Sequence, residues 1–340
     1  MREISARSRV TDVEVAPELI ERFKADLAQL WPSIANVDAK LGLAVSGGGD
    51  SLALLLLANA ALPGRVEAAT VDHQLRPESA KEALQVAEFC RSIGVPHQTF
   101  EVLVEQGNLQ DRARAARYEA LAKWCESRGL GAVATAHQMD DQAETLLMRL
   151  NRGSGLAGLA SIRASGTVPG SAVLLLRPLL NWRRAELAHL VERAGWKAMS
   201  DPSNEDLAFD RIRIRKQLEG ADWLDVENIA RSARLLAEAN DFVEEELSDC
   251  WHANVDDRDG MLRYYPGKSR YMNIEMLKQI FTRMGAVASR TELARLAERL
   301  WAGENGSLGG VLAKPASDEH GPGFEGRCWH FGPEPARRTN

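Results

Sequence analysis

The sequence predicts an α/β fold: a parallel sheet with helices packed on it, followed by a smaller, mainly helical domain. Three observations carry this. Short apolar runs alternate with helical stretches as far as Ala194, the pattern of βαβ units and a parallel sheet. The segment Ser46-Gly47-Gly48-Gly49-Asp50-Ser51 breaks one apolar run and leads into an apolar helix. A strand, a glycine loop and a helix N-terminus receive phosphate, because the backbone can come close and the helix dipole favours an anion. From Asp201 the alternation stops and long amphipathic stretches take over.

Taken in order, residues 1–20 read as a loose leader. Leu19, Phe23, Leu27 and Leu30 recur at helical spacing, so 18–31 is a helix packed beside the first strand, 43–45. The glycine loop and a buried helix at 52–61 follow. The next strands are 66–71, 97–104, 132–136 and 173–176. The helices between and after them are 79–93, 109–128, 140–150 and 183–194, with Gly94, Gly129 and Gly195 just past three of their ends. Ser79 with Glu82 forms a capping box, and Asn108 caps the helix after it. Asp201-Pro202-Ser203-Asn204 is a turn. A long helix at 226–249 is the spine of the second domain. Two more helices occupy 276–284 and 291–302, and glycines beyond 303 suit short strands or loops. Residues 333–340 read as a frayed end. The division falls at 218/219: residues 1–218 form the first domain and 219–340 the second.

The bulk composition excludes several classes. A chain of 340 residues is long enough for two domains and a large core. A net charge of -6 argues against a nucleic-acid coat protein but leaves room for a local basic surface. Cys90, Cys125, Cys250 and Cys328 form no CxxC pair, which argues against zinc and iron–sulfur sites and for a reduced, cytoplasmic setting. Residues 1–17 have no apolar core of a signal peptide. The longest apolar run, near 52–62, is too short to span a bilayer, so no membrane partner is expected.

Each polar cluster falls just after a strand: 46–51, 72–76, 137–141 and Arg177. In parallel sheets that edge binds ligands. Any one cluster alone reads more simply as a helix cap. Asp141 and Glu144 lie three apart, hence on one helix face, and alone read equally well as an acidic helix start. A lone histidine such as His137 is more often structural. In 209–216, Arg211, Arg213 and Arg215 alternate; they share a face only if extended and fan out in a helix, and a solvated face is the default for such a run.

As a set, these clusters resemble the tRNA(Ile)-lysidine synthetase family within the N-type ATP pyrophosphatases. The matching residues are Ser46–Ser51; Val71-Asp72-His73-Gln74-Leu75-Arg76; Asn108-Leu109 with Ala113-Arg114 and Arg117-Tyr118; and Ala134-Thr135-Ala136-His137 with Asp140-Asp141-Gln142-Ala143-Glu144-Thr145. Arg152-Gly153-Ser154-Gly155, Arg177-Pro178-Leu179 and Asp201-Pro202-Ser203-Asn204 with Arg211 complete it. The likeness spans roughly 40–218 and is weak beyond; Lys216-Gln217-Leu218-Glu219 stands where the family's apolar-proline step is expected.

The resemblance implies an adenine nucleotide alpha hydrolase-like (PP-loop) domain and a ligase that forms a carbon–nitrogen bond. ATP adenylates the carbon-2 oxygen of the wobble cytidine of tRNA(Ile) with a CAU anticodon, and free L-lysine then displaces AMP. The implied roles follow residue by residue. Gly47, Gly48 and Gly49 with Ser46 and Ser51 cradle pyrophosphate, and Asp50 and Asp140 hold Mg²⁺. Asp72, His73, Arg76 and His137 line the nucleotide pocket. Asp141 and Glu144 receive lysine. Arg114 and Arg117, with Arg211, Arg213 and Arg215, meet the tRNA or its cytidine. The implied catalytic set is Asp50, Arg114, Asp141 and Glu144, acting in a monomer or a homodimer. Two rivals remain: a 2-thiolating tRNA enzyme, which would use CxxC cysteines, and a non-catalytic ATP-sensing module, which would need no acidic pair at 141 and 144.

Overall fold

Helix α1 (Pro17–Leu30) turns Phe23 and Leu27 inward, both fully buried, and leads to strand β1 (Leu41–Ala44). Helix α2 (Gly49–Ala61) is buried from Ser51 to Ala58, which is why its sequence is apolar on every side. Each of its fully buried leucines contributes about 2 kcal/mol of burial. Strand β2 (Val66–Asp72), helix α3 (Ser79–Ser92), strand β3 (His97–Glu101) and helix α4 (Leu109–Arg128) follow. After them come β4 (Ala132–Ala134), α5 (Met139–Asn151), the single turn α6 (Leu156–Leu159), β5 (Ser165–Thr167), β6 (Leu174–Leu176) and α7 (Arg184–Arg193). Helix α8 (Asp210–Glu219) and the long α9 (Val226–Asn254) come next. The computed structural model describes residues 14–74, 79–102, 109–199, 210–258 and 261–334. The leader through residue 13, Arg76, the cap Asn108, the turn at 201–204 and residues 335–340 lie outside the described residues.

The six strands form one sheet in the order β3-β2-β1-β4-β6-β5. Leu41 pairs with Val66 on one side and with Ala132 on the other, both parallel. Only β5 runs antiparallel, against β6. The sequence analysis missed β5 because Ser165, Gly166 and Thr167 are exposed and carry no apolar alternation. From β1 the chain builds outward to β2 and β3, then returns to place β4 on the other side of β1. The crevice beyond the carboxyl ends of β1 and β4 is therefore the switch point of the sheet, where such folds bind ligands. Gly42 in β1 is required there by packing: a Cβ would meet the Trp124 ring at 2.8 Å.

The chain divides into two compact units, 1–237 and 238–340. The second holds β7 (Val255–Arg258), β8 (Met261–Tyr264), α10 (Arg270–Arg283), α11 (Arg290–Trp301), β9 (Gly306–Leu308), β10 (Val311–Ser317) and β11 (Arg327–Pro333). Its strands make an antiparallel sheet ordered β7-β8-β11-β10-β9. Tyr264, Phe281, Leu300, Trp329 and Phe331 are buried in its core. The two helices expected near 276–284 and 291–302 are present, and the glycine-rich stretch after Gly303 forms strands. The β7–β8 hairpin was not anticipated, since Asp256-Asp257-Arg258 lacks an apolar face.

Candidate active site

The loop between β1 and α2 is shaped by Ser51. Its Oγ accepts the backbone N–H of Ser46 at 3.2 Å and of Gly47 at 3.1 Å, and donates to the Gly48 carbonyl at 2.8 Å. Ser51 is buried, so its hydroxyl serves the loop's shape in this arrangement. Gly47 takes φ +87°, open to glycine at little cost. A Cβ at Gly47 would fall 1.6 Å from Met199 Cε, and the Met199 N–H donates to the Gly47 carbonyl at 3.2 Å. The first turn of α2 points its N–H groups, which lack intrahelical acceptors, into the crevice end of the loop.

Asp50 opens α2. Burial, then the negative charge of Asp141, push its carboxyl up to about 6. The Gln138 amide lies near enough to favour the Asp50 anion without hydrogen bonding to it; Gln138 Nε2 is buried with no partner. Among the described residues Asp50 thus lacks a directly bonded cation.

Across the crevice, α5 begins in a capping box. Gln138 N–H donates to Asp141 Oδ2 at 3.1 Å, and Asp140 N–H donates to Gln138 Oε1 at 2.5 Å. Behind it lies a network of acids and arginines. Glu144, with a side chain 1% exposed, accepts Arg184 Nη2 at 2.8 Å, Arg215 Nε at 2.9 Å and Arg211 Nε at 3.0 Å. Burial raises the Glu144 carboxyl, but Arg215 and Arg184 outweigh it and hold the group below its usual range. Asp140 behaves alike: Arg183 and the backbone N–H of Arg184 overcome its burial. Asp141 does not. Its nearest guanidinium nitrogens are Arg184 Nη2 at 3.4 Å and Arg211 Nη2 at 3.7 Å, and its carboxyl is raised, by burial first and by the Glu144 charge.

The four acids therefore split into two kinds. Asp140 and Glu144 are balanced by arginine. Asp50 and Asp141 retain a demand for positive charge. Among the described residues no group of three or more His, Cys, Asp and Glu gathers around one point. Of the two metal candidates, Asp50 fits a divalent cation, which needs a carboxylate or two plus phosphate oxygens. Asp140 does not fit in this arrangement, since both its oxygens accept hydrogen bonds from Arg183 and Arg184.

His137, after β4, is the centre of a basic wall. Burial, then Arg177, Arg211, Arg114 and Arg117 in turn, push its pKa down to about 3. Thr135 Oγ1 lies 3.0 Å from its Nδ1. Arg177 is buried, donates to the Arg163 carbonyl at 2.7 Å and keeps its Nε without a partner. Arg114 lies over the Tyr118 ring. His73 follows β2; its Nε2 lies 3.4 Å from Arg117 Nη2, and its buried Nδ1 has no partner. Asp72 is buried beside it and accepts the Gln74 N–H at 2.8 Å.

The structure brings the predicted residues of 46–51, 72–73, 137–144 and α8 to one edge of one unit. The arginine run lies on a helix and does not share one face, as a helix requires, but two of its members are ion-paired to a buried acid and are not merely a solvated face. In α8, Arg211 and Arg215 stand one turn apart and both reach Glu144, while Arg213 turns away to Asp210. Sequence reasoning missed Arg183 and Arg184. Their signal was two arginines opening a helix, where the dipole disfavours positive charge and acids are the rule.

Comparison with known proteins agrees with this geometry. Residues 19–221 match the family described as PP-loop domain. The chain is 42% identical over 323 residues to the tRNA(Ile)-lysidine synthase of Novosphingobium aromaticivorans, covering 94% of this chain and 95% of that one. It is 39% identical over 312 residues to the tRNA(Ile)-lysidine synthase of Zymomonas mobilis, covering 89% and 91%. Among solved structures, the U34-tRNA thiolase NcsA from Methanococcus maripaludis with its 4Fe-4S cluster superposes with a TM-score of 0.52 at 17% identity, covering 67% of this chain and 79% of that one, a likeness of fold alone. The chain belongs to the tRNA(Ile)-lysidine synthase family, with the PP-loop domain as its first part.

Proposed function

We propose that the protein is a carbon–nitrogen ligase that joins free lysine to carbon 2 of the wobble cytidine of tRNA(Ile) with a CAU anticodon. The observation that carries this reading is the meeting, at one sheet edge, of the glycine loop that opens α2 with Asp50 and Asp141, the latter held only at 3.4 and 3.7 Å by its nearest guanidinium nitrogens. In the first step the carbon-2 oxygen attacks the α-phosphorus of ATP and pyrophosphate leaves. The N–H groups at the start of α2 and the Gly47–Gly49 backbone stabilise the charge that gathers on the leaving group. Asp50 would hold Mg²⁺ beside the phosphates, where the ion would supply charge neutralisation.

In the second step the lysine ε-amine attacks carbon 2, and the carbon–oxygen bond to the adenylate breaks to release AMP. The amine must lose a proton, and Asp141 is the carboxylate with room to hold the ammonium and accept it. Glu144, bonded by three arginines, forms with Asp141 on the same helix face the acidic pair that receives lysine. Neutral His137, Asp72 and His73 line the nucleotide side. Arg114, Arg117 and Arg211 present the basic wall for the tRNA backbone and the cytidine. Residues 219–340 grip the body of the tRNA. The four cysteines are free thiols, and no described helix is long and apolar enough to cross a membrane, which suits a cytoplasmic enzyme.

The test is ATP labelled at the α-phosphate. AMP should form in quantity only when the transcript and lysine are both present. AMP formation independent of the transcript would contradict the reading.

A further inference from the structure

Arg184 touches more of the acidic cluster than any other single residue described above. One nitrogen, Nη2, lies 2.8 Å from Glu144 Oε1 and 3.4 Å from Asp141 Oδ1, and so bridges the two acids. Its backbone N–H donates to Asp140 Oδ2 at 2.8 Å. Its charge also reaches Asp50 on the facing helix. The residue opens α7, which packs against α2, the helix that carries the phosphate-binding loop. Arg211 and Arg215, the other partners of Glu144, come from α8 instead.

This placement costs helix stability. A cation at a helix N-terminus opposes the dipole by roughly 0.3–1 kcal/mol. No capping hydrogen bond needs the guanidinium, and α7 keeps its acidic Glu186 at N3 for that purpose. What the guanidinium does is hold two carboxylates, one helical turn apart, at a fixed separation. Arg211 reaches the same two acids, at 3.0 Å from Glu144 and 3.7 Å from Asp141, so loss of Arg184 loosens the pair on its α7 side. Lysine in its place keeps the charge but carries it on a flexible stem, so it replaces the bridge only in part.

We infer that Arg184 is a positioning residue for the amine substrate: it sets the Asp141–Glu144 pair to receive lysine and makes no direct bond to Asp50, the acid of the adenylation step. This rests on the reading that the pair receives lysine. Arg211 and Arg215 hold Glu144 from α8, whereas Arg184 holds the pair from α7.

The experiment compares wild type, Arg184→Gln and Arg184→Lys in two assays, with thermal unfolding as a check on folding. One assay follows pyrophosphate release with ATP and tRNA but no lysine. The other follows lysine transfer as lysine concentration is raised. Arg184→Gln should raise the lysine KM by about 10-fold or more while changing pyrophosphate release by about 2-fold or less. Arg184→Lys should fall between wild type and Arg184→Gln in lysine KM. An unchanged lysine KM in both variants, or equal losses in both assays in a variant that folds, would overturn the inference. If Arg184→Gln fails to fold, the split between assays in Arg184→Lys decides it by the same criteria. Failure of wild type to transfer lysine at all would instead overturn the reading on which the inference rests.

Discussion

Arg211 and Glu144 stand 67 residues apart in the chain, and Arg211 Nε donates to Glu144 Oε2 at 3.0 Å. That bond fastens α8 to α5 at the carboxyl edge of the sheet. With Arg215 and Arg184 it surrounds a carboxylate whose side chain is 1% exposed. Neutralising such a group leaves three guanidiniums facing one another. Glu144→Gln should lower the unfolding free energy by about 2 kcal/mol, less than a fully buried pair would lose because the arginines are partly solvated. Urea denaturation measures it, and a loss below about 0.5 kcal/mol would mean the network is only a surface feature.

Gly47 is fixed by two independent constraints, its positive φ and the Met199 side chain that fills the place of a Cβ. Gly47→Ala should therefore distort the loop, with a cost of about 1–3 kcal/mol and a rise in ATP KM of about 100-fold or loss of activity. Kinetics at saturating lysine and tRNA would show it. An active enzyme with normal ATP KM would remove the loop from the site.

Asp50 is the acid left without a bonded cation at the phosphate side. Asp50→Asn should abolish pyrophosphate release, by about 100-fold or more, with folding retained. Raising Mg²⁺ should not restore it. Normal pyrophosphate release by a folded Asp50→Asn variant would end the assignment.

His137 gives a pH signature. Its folded-state pKa, about 3, lies below the ordinary 6.5. The folded protein thus keeps the ring neutral while the unfolded chain takes up a proton below 6.5. Stability must fall as pH drops through 6.5, and the loss ends only near 3. His137→Asn lacks this term. Relative to that variant, wild type should lose roughly 1–2 kcal/mol between pH 8 and pH 5. Equal pH dependence of the two in urea denaturation would place a proton on folded His137.

Much of this was legible in the sequence because the central strands β1, β2, β4 and β6 are short and apolar and several helices between them end on glycine. The loop 46–51 and the acids of 140–144 carry local signals that survive without tertiary context. What was not legible came from contact across the chain. Arg183 and Arg184 look like an ordinary charged helix start until α7 is laid beside α5. The difference between Asp141 and Glu144, neighbours on one face, depends on which guanidiniums happen to reach each. Strand β5 is polar because it is an exposed edge, and the β7–β8 hairpin opens on Asp256-Asp257-Arg258. Neither writes a hydrophobic period.

The central claim is that one crevice first activates a cytidine and then delivers lysine to it. The direct measurement is transfer of labelled lysine to a tRNA(Ile) transcript with CAU, beside the same transcript with the wobble cytidine changed to uridine, in ATP and Mg²⁺. The account predicts label in the first transcript alone. Label in both, or ATP cleaved to AMP and pyrophosphate with label in neither, would contradict it.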